Sequence, residues 1–205
     1  MNLQIAIDRV TIEEAKEIIK KVDSEVEIIE IGTSLIKDFG IKTCMNQLNS
    51  NHAKILLDLK TIDEGEYEFE QAYIHGAEIA TVMGAADIST IEKCQKVAKK
   101  YSKQYMIDLL GVSNEKIKEL AKFEDAIFCY HTSTDKEESK VSSNELLEVR
   151  KILLNQKIFV AGRISPDTLK KININMIQGV VVGSYVTKSD NMKSSICKIR
   201  KANKE

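Results

Sequence analysis

The sequence predicts an α/β chain folded as a single-domain (β/α)8 TIM barrel. Three observations carry this. Eight short runs rich in Ile and Val recur along the 205 residues, nearly continuous in apolar character as strands covered on both faces should be. A segment of helical period follows each run. One Pro and nine Gly are too few, and too scattered, to form a linker between domains, so residues 1–205 are expected to be one domain.

The first run, residues 3–7, closes in Asp8 and leads to a helix over 11–22. There Ile12, Ala15, Ile18, Ile19 and Val22 share a stripe, and Thr11 with Glu14 makes a capping box. Run two, 26–31, precedes a segment read as one helix over 34–48. Run three, 54–57, is followed by a helix over 64–74, and run four, 78–82, by one over 88–101. Runs five and six, 104–109 and 125–130, precede helices over 114–122 and 144–154. Run seven, 157–161, leads to a helix over 166–172 with Ser165 as cap and Pro166 in its first position. Run eight, 178–182, precedes a last helix over 190–201. Strand, crossover and strand repeated in one sheet run parallel and right-handed, and eight repeats of about 25 residues close into a barrel. An open doubly wound sheet is the alternative, but it has fewer strands and a glycine-rich first turn, where this chain reads Asp8, Arg9, Val10.

Composition excludes several classes. Thirty Lys and Arg against 31 Asp and Glu give a net charge of -1, leaving no basic excess for nucleic acid. The longest apolar runs span about five residues, far below the roughly 20 of a membrane helix. Met1 leads directly into strand-like sequence rather than a signal peptide, so the expected location is cytoplasmic. Cys44, Cys94, Cys129 and Cys197 form no C-x-x-C pair and are expected to be reduced, mostly buried thiols.

Barrels of this kind place their chemistry where strands end. Run one ends in Asp8, run two in Glu30 followed by Gly32, run three in Asp58 with Lys60 two residues on; run five carries Asp108 and run six ends in His131. Such a set is costly to bury unless its members pair or hold a metal. In extended geometry Asp58 and Lys60 project to one side, and Asp63 falls beyond the turn at a helix start. Taken alone, this D-x-K-x-x-D pattern is equally what a capping aspartate and a surface ion pair produce. Glu30 beside Asp58 offers two hard oxygen ligands to a divalent ion such as Mg2+. His131 is expected to act as a general acid or base with Asp135 as partner, and residues 135–140 to form a solvated loop or a lid. His52 and His75 are explained by turn and capping roles.

Runs seven and eight end in small turns, Ala161-Gly162-Arg163 and Val182-Gly183-Ser184. These are the loops that bind phosphate in such barrels through backbone amides and a short helix, so a phosphorylated substrate held at Gly162, Arg163, Gly183 and Ser184 is expected.

LQIAID (3–8), IIEIGTSLI (28–36), DLKTID (58–63), GAEIATVMGAAD (76–87), IDLLGV (107–112), HTSTD (131–135), VAGRIS (160–165) and VVGSYVT (181–187) together resemble, in order and spacing, the orotidine monophosphate decarboxylase superfamily. Within it the resemblance is to the 3-hexulose-6-phosphate synthase group, over essentially the whole chain. It implies a ribulose-phosphate-binding barrel and a homodimeric, Mg2+-dependent aldolase joining formaldehyde to D-ribulose 5-phosphate, or running the reverse cleavage. It further implies Glu30 and Asp58 as metal ligands, Lys60 as the cation facing an enediolate, and Asp63 as a carboxylate offered to the partner's site. Asp8 would contact a substrate hydroxyl and His131 would transfer the proton. The related 3-keto-L-gulonate-6-phosphate decarboxylases have Glu where Asp108 stands and Arg where Thr132 and Thr134 stand, which favours the synthase; Ser133 departs from the synthase glycine. Both groups prefer glycine at Arg163. If that backbone needs φ > 0, arginine costs about 1 kcal/mol, and its guanidinium could grip the phosphate instead. A diverged sugar-phosphate-binding paralogue is the third reading.

Overall fold

Eight parallel strands hydrogen-bond in chain order and close on themselves, because β1 (Asn2–Ile7) pairs with both β2 (Ile28–Ile31) and β8 (Gly179–Val182). Between them run β3 (Lys54–Thr61), β4 (Ile79–Met83), β5 (Gln104–Asp108), β6 (Ile127–His131) and β7 (Lys157–Ala161). The computed structural model describes residues 1–133 and 141–202.

The helices are α1 (Ile12–Val22), α2 (Thr33–Phe39), α3 (Ile41–Gln47), α4 (Gly65–Ile74), α5 (Ile88–Lys100), α6 (Asn114–Leu120), α7 (Ser143–Ile152), α8 (Pro166–Leu169), α9 (Ser184–Thr187) and α10 (Met192–Ala202). The expected stripe of α1 is buried, and Thr11 and Glu14 cap it reciprocally. Ser165 caps α8, with Pro166 at its start.

Four local expectations are corrected. The helix expected over 34–48 is two, broken at Gly40, whose φ of 78° leaves helical geometry. Helix 166–172 ends at Leu169, and a turn completes the segment. An additional short helix, α9, opens directly on the turn after β8. Finally, β3 runs on to Thr61 through a bulge: Leu57 pairs with Ala80, but Thr61 pairs with Val82, so the strand carries surplus residues between them. No helix among the described residues is long and apolar enough to cross a membrane. Cys44, Cys94 and Cys129 are buried free thiols, while Cys197 is exposed.

Two apolar layers result. Outside the sheet, the inner faces of the helices pack Leu35, Phe69, Ile91, Leu120, Leu146 and Ile196 against it. Inside the barrel a separate plug is built from Ile28, Leu56, Ile79, Met106, Ile127, Cys129, Phe159, Ala161 and Val181. Since alternate strand residues share a face, the residue two positions beyond each plug residue points into the same interior, one layer nearer the C-terminal mouth. On β2, β3, β4 and β5 those residues are Glu30, Asp58, Thr81 and Asp108, and beyond Cys129 comes His131. Strand periodicity thus stacks a polar layer directly on the plug.

Candidate active site

The polar layer forms the base of a cavity of about 380 Å³ at the C-terminal ends of the strands. Gln4, Asp8, Glu30, Asp58, Lys60, Thr81, Asp108 and His131 line it on one side. Gly162, Arg163, Gly183, Ser184, Tyr185 and Lys188 line it at the ends of β7 and β8. Every predicted site residue except Asp63 is therefore brought to one cavity. Asp63 is exposed, outside this lining, with its Oδ1 accepting from Glu64 N at 2.8 Å.

Lys60 bridges two carboxylates, with Nζ 3.1 Å from Asp58 Oδ2 and 2.7 Å from Asp108 Oδ2. Burial works against its charge, yet Asp58 and then Asp108 outweigh that and hold the ammonium above its ordinary range. The meeting does not arise from a regular strand, as the sequence alone suggested. Lys60 sits in the bulge with φ 50°, a conformation costly for a residue with a Cβ.

Asp108 Oδ2 also lies 2.9 Å from His131 Nδ1, and its Oδ1 accepts from Leu110 N at 2.9 Å. Burial opposes ionisation of Asp108, but the hydrogen bond and charge of His131, then Lys60, bring its carboxyl down to about 2. An ionised carboxylate only accepts, so we assign the Nδ1 proton to the side facing Asp108 and leave Nε2 as the nitrogen that gains and loses a proton. The expected partner, Asp135, and the loop 135–140 lie outside the described residues. Among the described residues, Asp108 supplies the pairing.

Asp58 is fixed on both sides. Thr33 Oγ1 lies 2.8 Å from Asp58 Oδ2, and Thr81 Oγ1 donates to Asp58 Oδ1 at 2.8 Å. Glu30 is buried on the neighbouring strand, and Gln4 Nε2 donates to its Oε2 at 2.5 Å. Burial, and then the negative charge of Asp58, push the Glu30 carboxyl well above the usual carboxylate range. Asp8 Oδ1 accepts from Ser34 Oγ at 2.9 Å; a Cβ at Gly32 would stand 2.2 Å from that carboxylate, so only glycine leaves it room.

The donor set fits a divalent cation. Glu30, Asp58 and Asp108 against Lys60 leave the buried layer two negative charges in excess when all are ionised. No group of three or more His, Cys, Asp or Glu among the described residues could hold a metal, so an ion here would take two carboxylates and complete its shell from water and substrate, as Mg2+ does.

At the other side of the mouth, Gly183 leads into α9 without a side-chain cap, leaving first-turn amides for a ligand oxygen. Arg163 has φ 46°, so the arginine occupies a left-handed conformation that glycine would adopt without strain. The residues missed by sequence reasoning are Gln4, Thr33, Thr81, Tyr185 and Lys188. For Gln4 and Thr81 the available signal was strand parity: Gln4 lies on the same face of β1 as Asp8, and Thr81 stands two residues beyond a plug residue of β4.

The chain matches the family described as orotidine 5'-phosphate decarboxylase / HUMPS over residues 1–199. It is 35% identical over 195 residues to a 3-hexulose-6-phosphate synthase of Staphylococcus epidermidis, covering 93% of each chain. Among solved structures, 3-hexulose-6-phosphate synthase from Salmonella typhimurium superposes with a TM-score of 0.89 at 30% identity, over 99% of this chain and 98% of that one. A 3-keto-L-gulonate-6-phosphate decarboxylase from Vibrio cholerae reaches 0.88 at 24% identity, over 99% and 97%, a likeness of fold.

Proposed function

The chain belongs to the orotidine 5'-phosphate decarboxylase / HUMPS family, and from that premise we propose that it is a carbon–carbon lyase of the 3-hexulose-6-phosphate synthase type. It condenses formaldehyde with D-ribulose 5-phosphate to D-arabino-hex-3-ulose 6-phosphate, or cleaves that product. The observation that carries this reading is the Asp58–Lys60–Asp108–His131 chain of contacts at one cavity, in a sequence 35% identical to a named synthase.

The phosphate sits against the first-turn amides of α9 at Gly183 and Ser184, with Gly162 and the Arg163 guanidinium opposite. Asp8 accepts a hydroxyl of the pentulose. His131 Nε2 takes the proton from C1, and the electron pair left behind becomes the C1–C2 double bond of an enediolate. Lys60 Nζ, already charged, faces the oxygen on which negative charge accumulates. C1 then bonds to the formaldehyde carbon, and the resulting alkoxide takes back the proton from His131. A bound Mg2+, held by Glu30 and Asp58, would supply Lewis-acid stabilisation of the same oxygens.

The enzyme acts as a cytoplasmic homodimer, with Asp63 completing the partner's site. Supporting this, Asp63 lies outside its own cavity, and beside it Ile62 and Tyr67, 56% and 63% exposed, offer apolar surface for a partner to cover.

The test compares formaldehyde-dependent loss of ribulose 5-phosphate with CO2 release from 3-keto-L-gulonate 6-phosphate. Turnover in the first assay alone supports the synthase, and CO2 release alone overturns it in favour of the decarboxylase. Tight sugar-phosphate binding without either activity would mark a binding paralogue.

A further inference from the structure

We propose that Thr81 is the positioning residue that assembles the Asp58–Lys60 pair, by holding the bulge of β3 and the Asp58 carboxylate with one hydroxyl group. The ladder between β3 and β4 loses register between Leu57 and Thr61, which removes Lys60 from regular pairing and gives it φ 50°. Its N–H therefore needs another acceptor, and Thr81 Oγ1 provides it at 3.0 Å. The same oxygen donates to Asp58 Oδ1 at 2.8 Å.

A hydroxyl has one proton and two lone pairs. Asp58, as a carboxylate, accepts only, and a backbone N–H donates only, so both bonds are satisfied in a single orientation of the Thr81 side chain. Thr81 is 3% exposed. Because strained backbone persists only where its surroundings over-determine it, this hydroxyl is the element that makes the bulge tenable. Its consequence is chemical: the bulge turns Lys60 so that Nζ lies within 3.1 Å of Asp58 and 2.7 Å of Asp108 together. Thr81 lines the same cavity, but its hydroxyl is committed to Lys60 N and Asp58 Oδ1, so it acts through those two residues.

The kinetic half of the test rests on the synthase reading; the exchange half does not. Thr81→Val keeps the volume and β-branching and removes the hydroxyl, and Thr81→Ser restores it. For Thr81→Val the expected result is a fall in kcat of about 10–100-fold with KM for ribulose 5-phosphate within about threefold, since the ammonium is displaced from charge that develops in the transition state. Amide hydrogen exchange at Lys60 should quicken at least about tenfold while that of Leu57 stays unchanged. Thr81→Ser should return both values to within about threefold of the wild type. If Thr81→Val does not fold, Thr81→Ala replaces it in the same two measurements.

A folded hydroxyl-free variant with unchanged Lys60 exchange and unchanged kcat overturns the proposal, whatever its melting temperature. So does a loss that Thr81→Ser fails to rescue. A wild type without synthase turnover, with Lys60 exchange still quickened in Thr81→Val, upholds the positioning role and rejects the synthase reading.

Discussion

Asp108 Oδ2 accepts from Lys60 Nζ at 2.7 Å and thereby ties β3 to β5, and the same oxygen meets His131 Nδ1 from β6 at 2.9 Å. One carboxylate thus sets the position of the cation and the tautomer of the base. Asp108→Asn keeps the size and loses both functions. Its kcat is expected to fall on the order of 10²–10³-fold, as removal of a base's orienting carboxylate does.

The same residue makes a statement about acid stability. Its folded pKa of about 2 lies below the ordinary 3.8, so the stability it contributes is complete above about pH 4 and is lost as pH falls through 2. Between pH 4 and pH 2 the wild type should lose more unfolding free energy, in urea titrations, than Asp108→Asn. Equal losses would mean that the Asp108 carboxyl is not held low.

The excess of buried carboxylates predicts opposite signs for two inactivating changes. Glu30→Gln removes a charge that burial and Asp58 disfavour, and should raise the melting temperature in EDTA at pH 8 by about 2–4 °C. Lys60→Ala leaves Asp58 and Asp108 without their shared cation, and should lower it by at least as much. Both should abolish turnover. Scanning calorimetry of the two variants checks the pair of signs.

Catalysis across a dimer interface predicts complementation. Asp63→Ala and Lys60→Ala homodimers should each be inactive, yet mixing and subunit exchange should return roughly a quarter of wild-type activity, since half the dimers are hybrids and each hybrid has one intact site. An active Asp63→Ala homodimer would place Asp63 outside the chemistry, and inactive homodimers with no recovery, exchange being verified by mass spectrometry, would assign Asp63 to its own subunit's site.

Arg163 holds a left-handed backbone that glycine accepts freely. Arg163→Gly relieves about 1 kcal/mol of strain but loosens the unfolded chain by a similar amount, so the melting temperature should barely move. KM for ribulose 5-phosphate should rise about tenfold with kcat unchanged, the pattern of a ligand anchor that binds ground and transition states alike. Unchanged KM would assign the phosphate to the backbone amides alone.

The barrel was legible because eight apolar runs bounded by amphipathic helices leave few other arrangements. The acidic strand ends were legible because carboxylates such as Asp8, Glu30 and Asp58 are conspicuous against Ile and Val. Pairings that depend on neighbouring strands were not. Asp108 and His131 stand 23 positions apart, and their contact follows from the β5–β6 register, in which Asp108 pairs with Cys129. The bulge at Lys60 was hidden because DLKT continues a normal strand in composition, and the hydroxyl that accepts the Lys60 N–H, that of Thr81, lies on another strand. Thr81 itself reads as an ordinary β-branched strand residue. Gly40 was swallowed into a helix because the apolar period continues on both sides of it.

The most direct test of the chemistry is exchange at C1. Ribulose 5-phosphate incubated with the protein and Mg2+ in D2O, without formaldehyde, should gain one deuterium at C1 by NMR, and the gain should vanish with EDTA or in His131→Ala. Absence of deuterium from the wild type, while calorimetry shows the sugar phosphate bound, would contradict proton abstraction by His131 and the aldolase account built on it.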